Sequence, residues 1–207
     1  MSKDHIEQKD QNTSAALLLI DVINTLDFKD AELLARYTEE TADNIAALKK
    51  EAKSQGLPVI YVNDNYGLWQ SDFKKVINYA AEANGQHLVD RLEPEDDDYT
   101  VVKPKHSGFF STPLSTLLKF LKVNTLILTG FAGNICVLFT ANDAYMREYD
   151  LYIPSNCCAS NLEEDNEYAL RLMEGNLKAS TEPSTELNLK ELISKANDRQ
   201  VKTAYEG

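Results

Sequence analysis

Residues 125–146 read T-L-I-L-T-G-F-A-G-N-I-C-V-L-F-T-A-N-D-A-Y-M. The first five form an apolar, β-branched run without polar alternation, which reads as a strand buried on both faces. Residues 134–148 read as a helix, so a buried strand passes almost directly into a helix. A thiol, Cys136, stands where that helix opens. Packing accounts for any small apolar residue at such a place. A cysteine differs, because first-turn N–H groups favour its thiolate.

The same alternation extends in both directions. Residues 15–20, A-A-L-L-L-I, form another strand buried on both faces. Over 31–55, Leu34, Tyr37, Ile45, Leu48 and Ala52 recur at helical spacing, and Gly56 supplies the stop. Residues 57–62 form a second strand, followed by a looser, partly helical region holding Phe73, Val76 and Ile77. The acidic run 93–98, E-P-E-D-D-D, reads as a solvated loop. Residues 99–102 form a third strand. Thr112 is the expected N-cap and Pro113 the first position of a helix running to Leu121. Beyond the 125–129 strand, 151–154 is a fifth strand, with helices at 163–178 and 188–196. Strand–helix alternation of this kind implies a three-layer α/β/α sandwich around a mostly parallel open sheet. Residues 1–13 read as a flexible lead-in and 14–207 as a single domain.

With 207 residues, 43% hydrophobic and 26% charged, the composition is that of an ordinary globular protein. The net charge of -12 argues against nucleic acid or an anionic membrane as partner, since both call for a basic surface. No uncharged apolar segment approaches the roughly 20 residues of a membrane span. The polar N-terminus lacks the apolar centre of a secretory signal. Three cysteines, Cys136, Cys157 and Cys158, give neither a disulfide framework nor zinc-type spacing. A cytoplasmic location is expected.

In open α/β sheets the working groups lie beyond the carboxyl ends of the strands. Three chemically useful residues fall there: Asp21 closes the first strand, Lys103 the third, and Cys136 follows the fourth. Singly, each has an ordinary explanation as a turn cap, a surface lysine or a core filler. Together on one sheet edge they form a base, a cation and a nucleophile, a complete set for attack on a carbonyl. Asp21 takes the thiol proton, Lys103 holds the anionic pair, and the N–H groups of Ala132 and Cys136 face the oxyanion.

Three segments carry a family resemblance. Residues 15–24 (A-A-L-L-L-I-D-V-I-N), 101–114 (V-V-K-P-K-H-S-G-F-F-S-T-P-L) and 129–144 (T-G-F-A-G-N-I-C-V-L-F-T-A-N-D-A) resemble the signature blocks of the isochorismatase-like cysteine hydrolase superfamily. The resemblance places Asp21, Lys103 and Cys136 at the family's catalytic positions. It also implies a cis, non-proline peptide at Phe131–Ala132 and a homo-oligomer. The first block departs from the family: Ile23, Thr25 and Leu26 replace its glutamine, acid and phenylalanine, while Asp27 and Phe28 come two residues later. Gly133 stands where threonine is common, which implies a looser turn before Cys136.

Nicotinamidase-like members bind a metal after the second strand through an aspartate and two histidines. Residues 62–72, V-N-D-N-Y-G-L-W-Q-S-D, contain no histidine, and Asp64 alone does not hold a zinc. Neither metal nor other cofactor is expected. Phe28, Asn63, Tyr66, Trp69 and Phe131 are the candidate substrate-pocket residues, with Asn65 beside them. Trp69 has the alternative of anchoring its loop.

His5 falls in the lead-in and has no expected role; His87 and His106 read as solvated, although a Cys136–His106 dyad competes with the Asp–Lys–Cys set. Lys105 is a second choice of cation behind Lys103. Cys157 and Cys158 read as packed thiols, and Asp143 as a residue that fixes the Cys136 helix. The function expected is hydrolysis of a small-molecule amide or related C–N bond through a thioester. The alternatives are vinyl ether hydrolysis of the isochorismatase type, or a non-catalytic binding or thiol redox-sensing role on the same fold.

Overall fold

The computed structural model describes residues 13–70 and 72–205, with side chains to residue 199; His5 and nearly all of the expected lead-in lie outside the described residues. Among these residues one parallel sheet is built from β1 (Ala15–Ile20), β2 (Val59–Asp64), β3 (Tyr99–Lys103), β4 (Thr125–Phe131), β5 (Asp150–Tyr152) and β6 (Cys158–Ala159). The strand order is β3-β2-β1-β4-β5. β6 pairs with Gly130 and Phe131 of β4, beyond the point where β5 ends. Pro154 and the short 3₁₀ turn Ser155–Cys157 interrupt what is otherwise one strand position. Proline has no N–H to give to a ladder, which is why the expected 151–154 strand stops at Tyr152.

β1 is wholly buried, and its side chains divide by the two-residue period of a strand. Ala15, Leu17 and Leu19 enter a core shared with α1 (Ala31–Ser54), α2 (Phe73–Glu82), α3 (Gln86–Leu92) and α7 (Leu189–Tyr205). Ala16, Leu18 and Ile20 enter the opposite core, with α4 (Leu114–Phe120), α5 (Leu138–Tyr145) and α6 (Glu163–Leu177). Each buried Leu or Ile contributes roughly 1.5–3 kcal/mol. The result is the three-layer α/β/α sandwich. No helix among the described residues is long and apolar enough to cross a membrane.

Several boundaries differ from the sequence reading. The looser region after β2 resolves into α2 and α3. α4 begins at Leu114, with Thr112 Oγ accepting from the Leu114 N–H at 3.2 Å. The expected helix 134–148 is two elements, a π turn over Gly133–Val137 and then α5. The acidic run is not simply solvated. Asp98, its side chain only 1% exposed, pairs with Lys49 at 2.7 Å and Lys53 at 2.8 Å. Lys49 also donates to the Tyr61 hydroxyl at 3.0 Å, so this loop is clamped to α1 by a partly buried ion network.

Candidate active site

The strand order reverses between β1 and β4, and such a switch point leaves a crevice at the carboxyl ends. Asp21 follows β1 directly. Its φ of 50° is left-handed, a conformation that a short polar side chain tolerates better than most. Its N–H donates to Val62 O at 3.0 Å, continuing the sheet one residue further. Lys103 ends β3, in register with Asp64. Cys136 is the fourth residue of the π turn that follows β4.

These three side chains meet. Lys103 Nζ lies 2.8 Å from Asp21 Oδ2 and 3.5 Å from Cys136 Sγ, and donates to Lys105 O at 3.0 Å. The ammonium has three donors, so each finds an acceptor. Asp21 Oδ1 accepts from the Asp64 N–H at 2.7 Å. The Lys103 and Asp21 side chains are 1% and 7% exposed. Lys105 itself is exposed and contributes its carbonyl oxygen rather than its charge.

Burial sets the electrostatics. It pushes the Asp21 carboxyl above its ordinary value, against the pull of the Lys103 ammonium. Burial works to lower Lys103, but the charges of Asp21 and Cys136 outweigh it and hold the lysine above its usual range. Burial, then the Asp21 charge, raises the Cys136 thiol strongly, against Lys103. A resting thiolate, expected from a helix start, is therefore not what this site favours. The sulfur sits late in the turn and beside a carboxylate, and both burial and that charge favour S–H.

The surrounding backbone is tightly constrained. A Cβ on Gly130, whose φ is 120°, would stand 2.0 Å from Ile20 O. Only glycine allows β4 to pass that close to β1 just before the turn that carries Cys136. Gly85 similarly abuts the segment after Asp21: a Cβ there would stand 1.8 Å from Asn24 O. Asn84 grips the same segment, its N–H donating to Thr25 O and its amide to Leu26 O. The Phe131–Ala132 peptide is cis. Ala132 O accepts from the N–H groups of Ile135 and Val137, and neither bond uses the Cys136 N–H.

A family model described as the isochorismatase domain matches residues 15–185. The isochorismatase family protein YaaI of Bacillus subtilis (strain 168) is 50% identical over 164 residues, covering 79% of this chain and 91% of that one. The chain belongs to the isochorismatase family. The ureidoacrylate amidohydrolase RutB of Methylorubrum extorquens is 48% identical over 62 residues, 30% of this chain and 25% of that enzyme. The nicotinamidase SaPncA of Staphylococcus aureus superposes with a TM-score of 0.64 at 25% identity, covering 82% of this chain and 98% of that one. This isochorismatase-family chain is a hydrolase.

The expected pocket residues do not form one wall of the isochorismatase-family site. Asn63 is fully buried and its amide is spent on the scaffold, accepting from Ile23 N–H at 3.1 Å and donating to Ile23 O at 3.0 Å. Phe131 is also fully buried, packed into the α1-side core. Their strand positions turn them inward, so neither lines a substrate pocket. Asn65 is buried in its own turn, accepting from the Gly67 N–H. Tyr66 is half-buried, its hydroxyl donating to Ile23 O at 2.7 Å. Phe28 and Trp69 remain exposed, Trp69 at 78%, which removes its alternative role as a loop anchor.

Among the described residues no three His, Cys, Asp or Glu side chains converge as a metal set. The Asp64 carboxylate is committed to the Tyr66 N–H at 2.7 Å. The donors present do not fit the metal of nicotinamidase-like relatives. His106 is exposed, stacked near Phe139, with Nδ1 4.0 Å from Cys136 Sγ. His87 is half-buried, with Nε2 3.0 Å from the Thr38 hydroxyl. Asp143 accepts from Ser107 and Arg147, tying the loop after β3 to α5. Cys157 and Cys158 are buried. The sequence reading missed Ser160 and Asn166, which reach the turn that carries Cys136 from behind. No period or motif marks them, since they come from the segment after a two-residue strand and from the next helix.

Proposed function

We propose that the chain hydrolyses a small amide or related C–N bond through a thioester at Cys136. The observation that carries this reading is the single ammonium, Lys103, placed 2.8 Å from a buried carboxylate and 3.5 Å from a thiol. As Sγ attacks the carbonyl carbon, Asp21 takes the thiol proton, and the developing oxyanion is received by the N–H groups of Ala132 and Cys136. The C–N bond breaks as Asp21 returns that proton to the departing nitrogen. Water then gives a proton to Asp21 and attacks the thioester, and the thiol is restored. A carboxylate raised by burial suits both directions of proton transfer better than an ordinary one. The amidohydrolase and nicotinamidase activities of the relatives support an amide or ureide as the substrate class.

The test is ammonia or amine release across a panel of amides and ureides, with Cys136→Ala and Asp21→Asn controls and mass spectrometry of the protein. Turnover that disappears in both variants, with an acyl adduct on Cys136 of the wild type, supports the reading. Equal turnover in wild type and Cys136→Ala ends the nucleophile assignment. Vinyl ether hydrolysis that needs Asp21 but not Cys136 would replace it with acid catalysis alone.

A further inference from the structure

Gly133 opens the nucleophile turn, and it does not loosen that turn. A Cβ there would stand 2.1 Å from Asn166 Oδ1 and 3.3 Å from Ser160 Oγ. The space that a side chain at 133 would take is filled from behind by α6. Ser160, 1% exposed just after β6, accepts from the Asn134 N–H at 3.0 Å and donates to Asn166 Oδ1 at 3.0 Å. Asn166 Nδ2 in turn donates to Cys158 O at 3.2 Å. Cys158 and Ala159 are themselves paired with Gly130 and Phe131. The stretch 158–166 therefore braces the turn at three successive points on its approach to Cys136. Asn134 Oδ1 is buried and has no hydrogen-bond partner among the described residues, which leaves the Asn134 N–H as the anchor seen on that residue.

We infer that Asn166 and Ser160 are positioning residues for the nucleophile: they occupy the room left by Gly133 and hold the Asn134 N–H, which keeps Cys136 Sγ against Asp21 and Lys103. They touch neither substrate nor sulfur. The chain is short between anchor and nucleophile, since Cys136 lies two residues beyond Asn134. Letting the turn relax shifts the sulfur relative to its base, and a misplacement of about 1 Å costs on the order of 10²-fold in rate. Hydroxyl and carboxamide together also replace what a side chain at position 133 would otherwise provide, so the two positions are coupled.

The inference rests on Cys136 being a nucleophile, and the experiment separates the two. Full-length protein is mixed with p-nitrophenyl acetate, an activated acyl donor, and the burst of nitrophenolate is followed along with the acetyl adduct on Cys136. A burst that persists in Cys136→Ala refutes the nucleophile itself. Given a burst that Cys136 carries, Asn166→Ala and Ser160→Ala are each expected to slow it roughly 10–100-fold while the adduct stays on Cys136. Gly133→Ala is expected to slow it comparably in the wild type, yet less than about twofold further in the Asn166→Ala background, where the clash is gone. Burst rates within about twofold of wild type in Ser160→Ala and Asn166→Ala, or Gly133→Ala effects that are the same in both backgrounds, overturn the positioning role. Thermal unfolding of every variant identifies folded protein, and if Asn166→Ala does not fold, the burst rate of Ser160→Ala decides the matter.

Discussion

Replacing Lys103 with methionine keeps most of the volume and removes one charge. The charge lies 2.8 Å from Asp21 Oδ2, with both side chains nearly inaccessible. At an effective dielectric of about 20 the attraction at that separation is about 6 kcal/mol. Burial opposes it, so the net loss is smaller; breaking a buried pair from one side costs about 3–5 kcal/mol. For a chain of this length that is roughly 6–20 °C in Tm. The loss depends on pH. Asp21 already binds its proton more tightly folded than unfolded, so its contribution is fully present below the ordinary value of 3.8 and declines as pH rises through the raised folded value. Without Lys103 the folded value rises further and the decline extends to higher pH. Lys103→Met is therefore nearest to wild type in acid and furthest from it at neutral pH and above.

Urea unfolding across a pH series measures this directly, and initial rates of ammonia release measure function. Turnover at neutral pH is expected to fall by about 10²–10³-fold, the loss typical of one electrostatic stabiliser, with the acid limb of kcat/KM displaced upward. Adding Asp21→Asn to Lys103→Met removes the orphaned charge and recovers most of the stability, but none of the activity. A stability gap that is the same at every pH, or turnover within about tenfold of wild type, refutes the assignment of Lys103 as the counter-charge of Asp21.

Three other outcomes follow from the same geometry. His106→Gln should leave turnover within about tenfold of wild type, because 4.0 Å from an exposed imidazole to Sγ is too long for an effective proton relay; a dead His106→Gln beside an active Lys103→Met reverses the choice of dyad. Asp98→Ala should destabilise by about 3 kcal/mol in urea unfolding, since Lys49 and Lys53 lose the carboxylate they share, and a loss below about 1 kcal/mol shows the network to be ordinary surface pairing. Cys136 should react with hydrogen peroxide more slowly than free cysteine at neutral pH, followed by mass spectrometry, because burial and the Asp21 charge keep it as S–H; oxidation as fast as free cysteine would show a resting thiolate.

The strands are legible because β1 and β4 are continuous apolar runs, and a run without polar alternation has few other places to go than the middle of a parallel sheet. Strand ends then locate Asp21, Lys103 and Cys136 without any knowledge of side-chain direction. Side-chain direction is where sequence runs out. Asn63 is buried on the face of β2 opposite to Val62, where its amide bonds Ile23, a partner 40 positions away that no period points to. The π turn depends on Ala132 O accepting from two N–H groups, which no residue type at 133–137 dictates. Composition alone assigns the acidic run to solvent, but Lys49 lies beside Leu48 and near Ala52 on the buried face of α1 and needs a counter-charge. That lysine is the available signal. Asn166 offers none, since its role exists only because Gly133 is empty.

The electrostatics also bear on which reading of Cys136 is preferred. A redox sensor reacts through a thiolate that exists at rest, and this sulfur is half-buried and near a carboxylate that resists a second negative charge. Those same features suit a nucleophile whose proton leaves only as it attacks. With Asp21 Oδ2 2.8 Å from Lys103 Nζ, the proposed transfer of the thiol proton to Asp21 relieves charge on one side as C–S bond formation moves it to the oxyanion on the other. The net charge of the three side chains need not change before substrate arrives. Under the proposed mechanism, a site arranged in this way resists adventitious oxidation between turnovers and commits the sulfur only when a carbonyl is present to accept the electron pair.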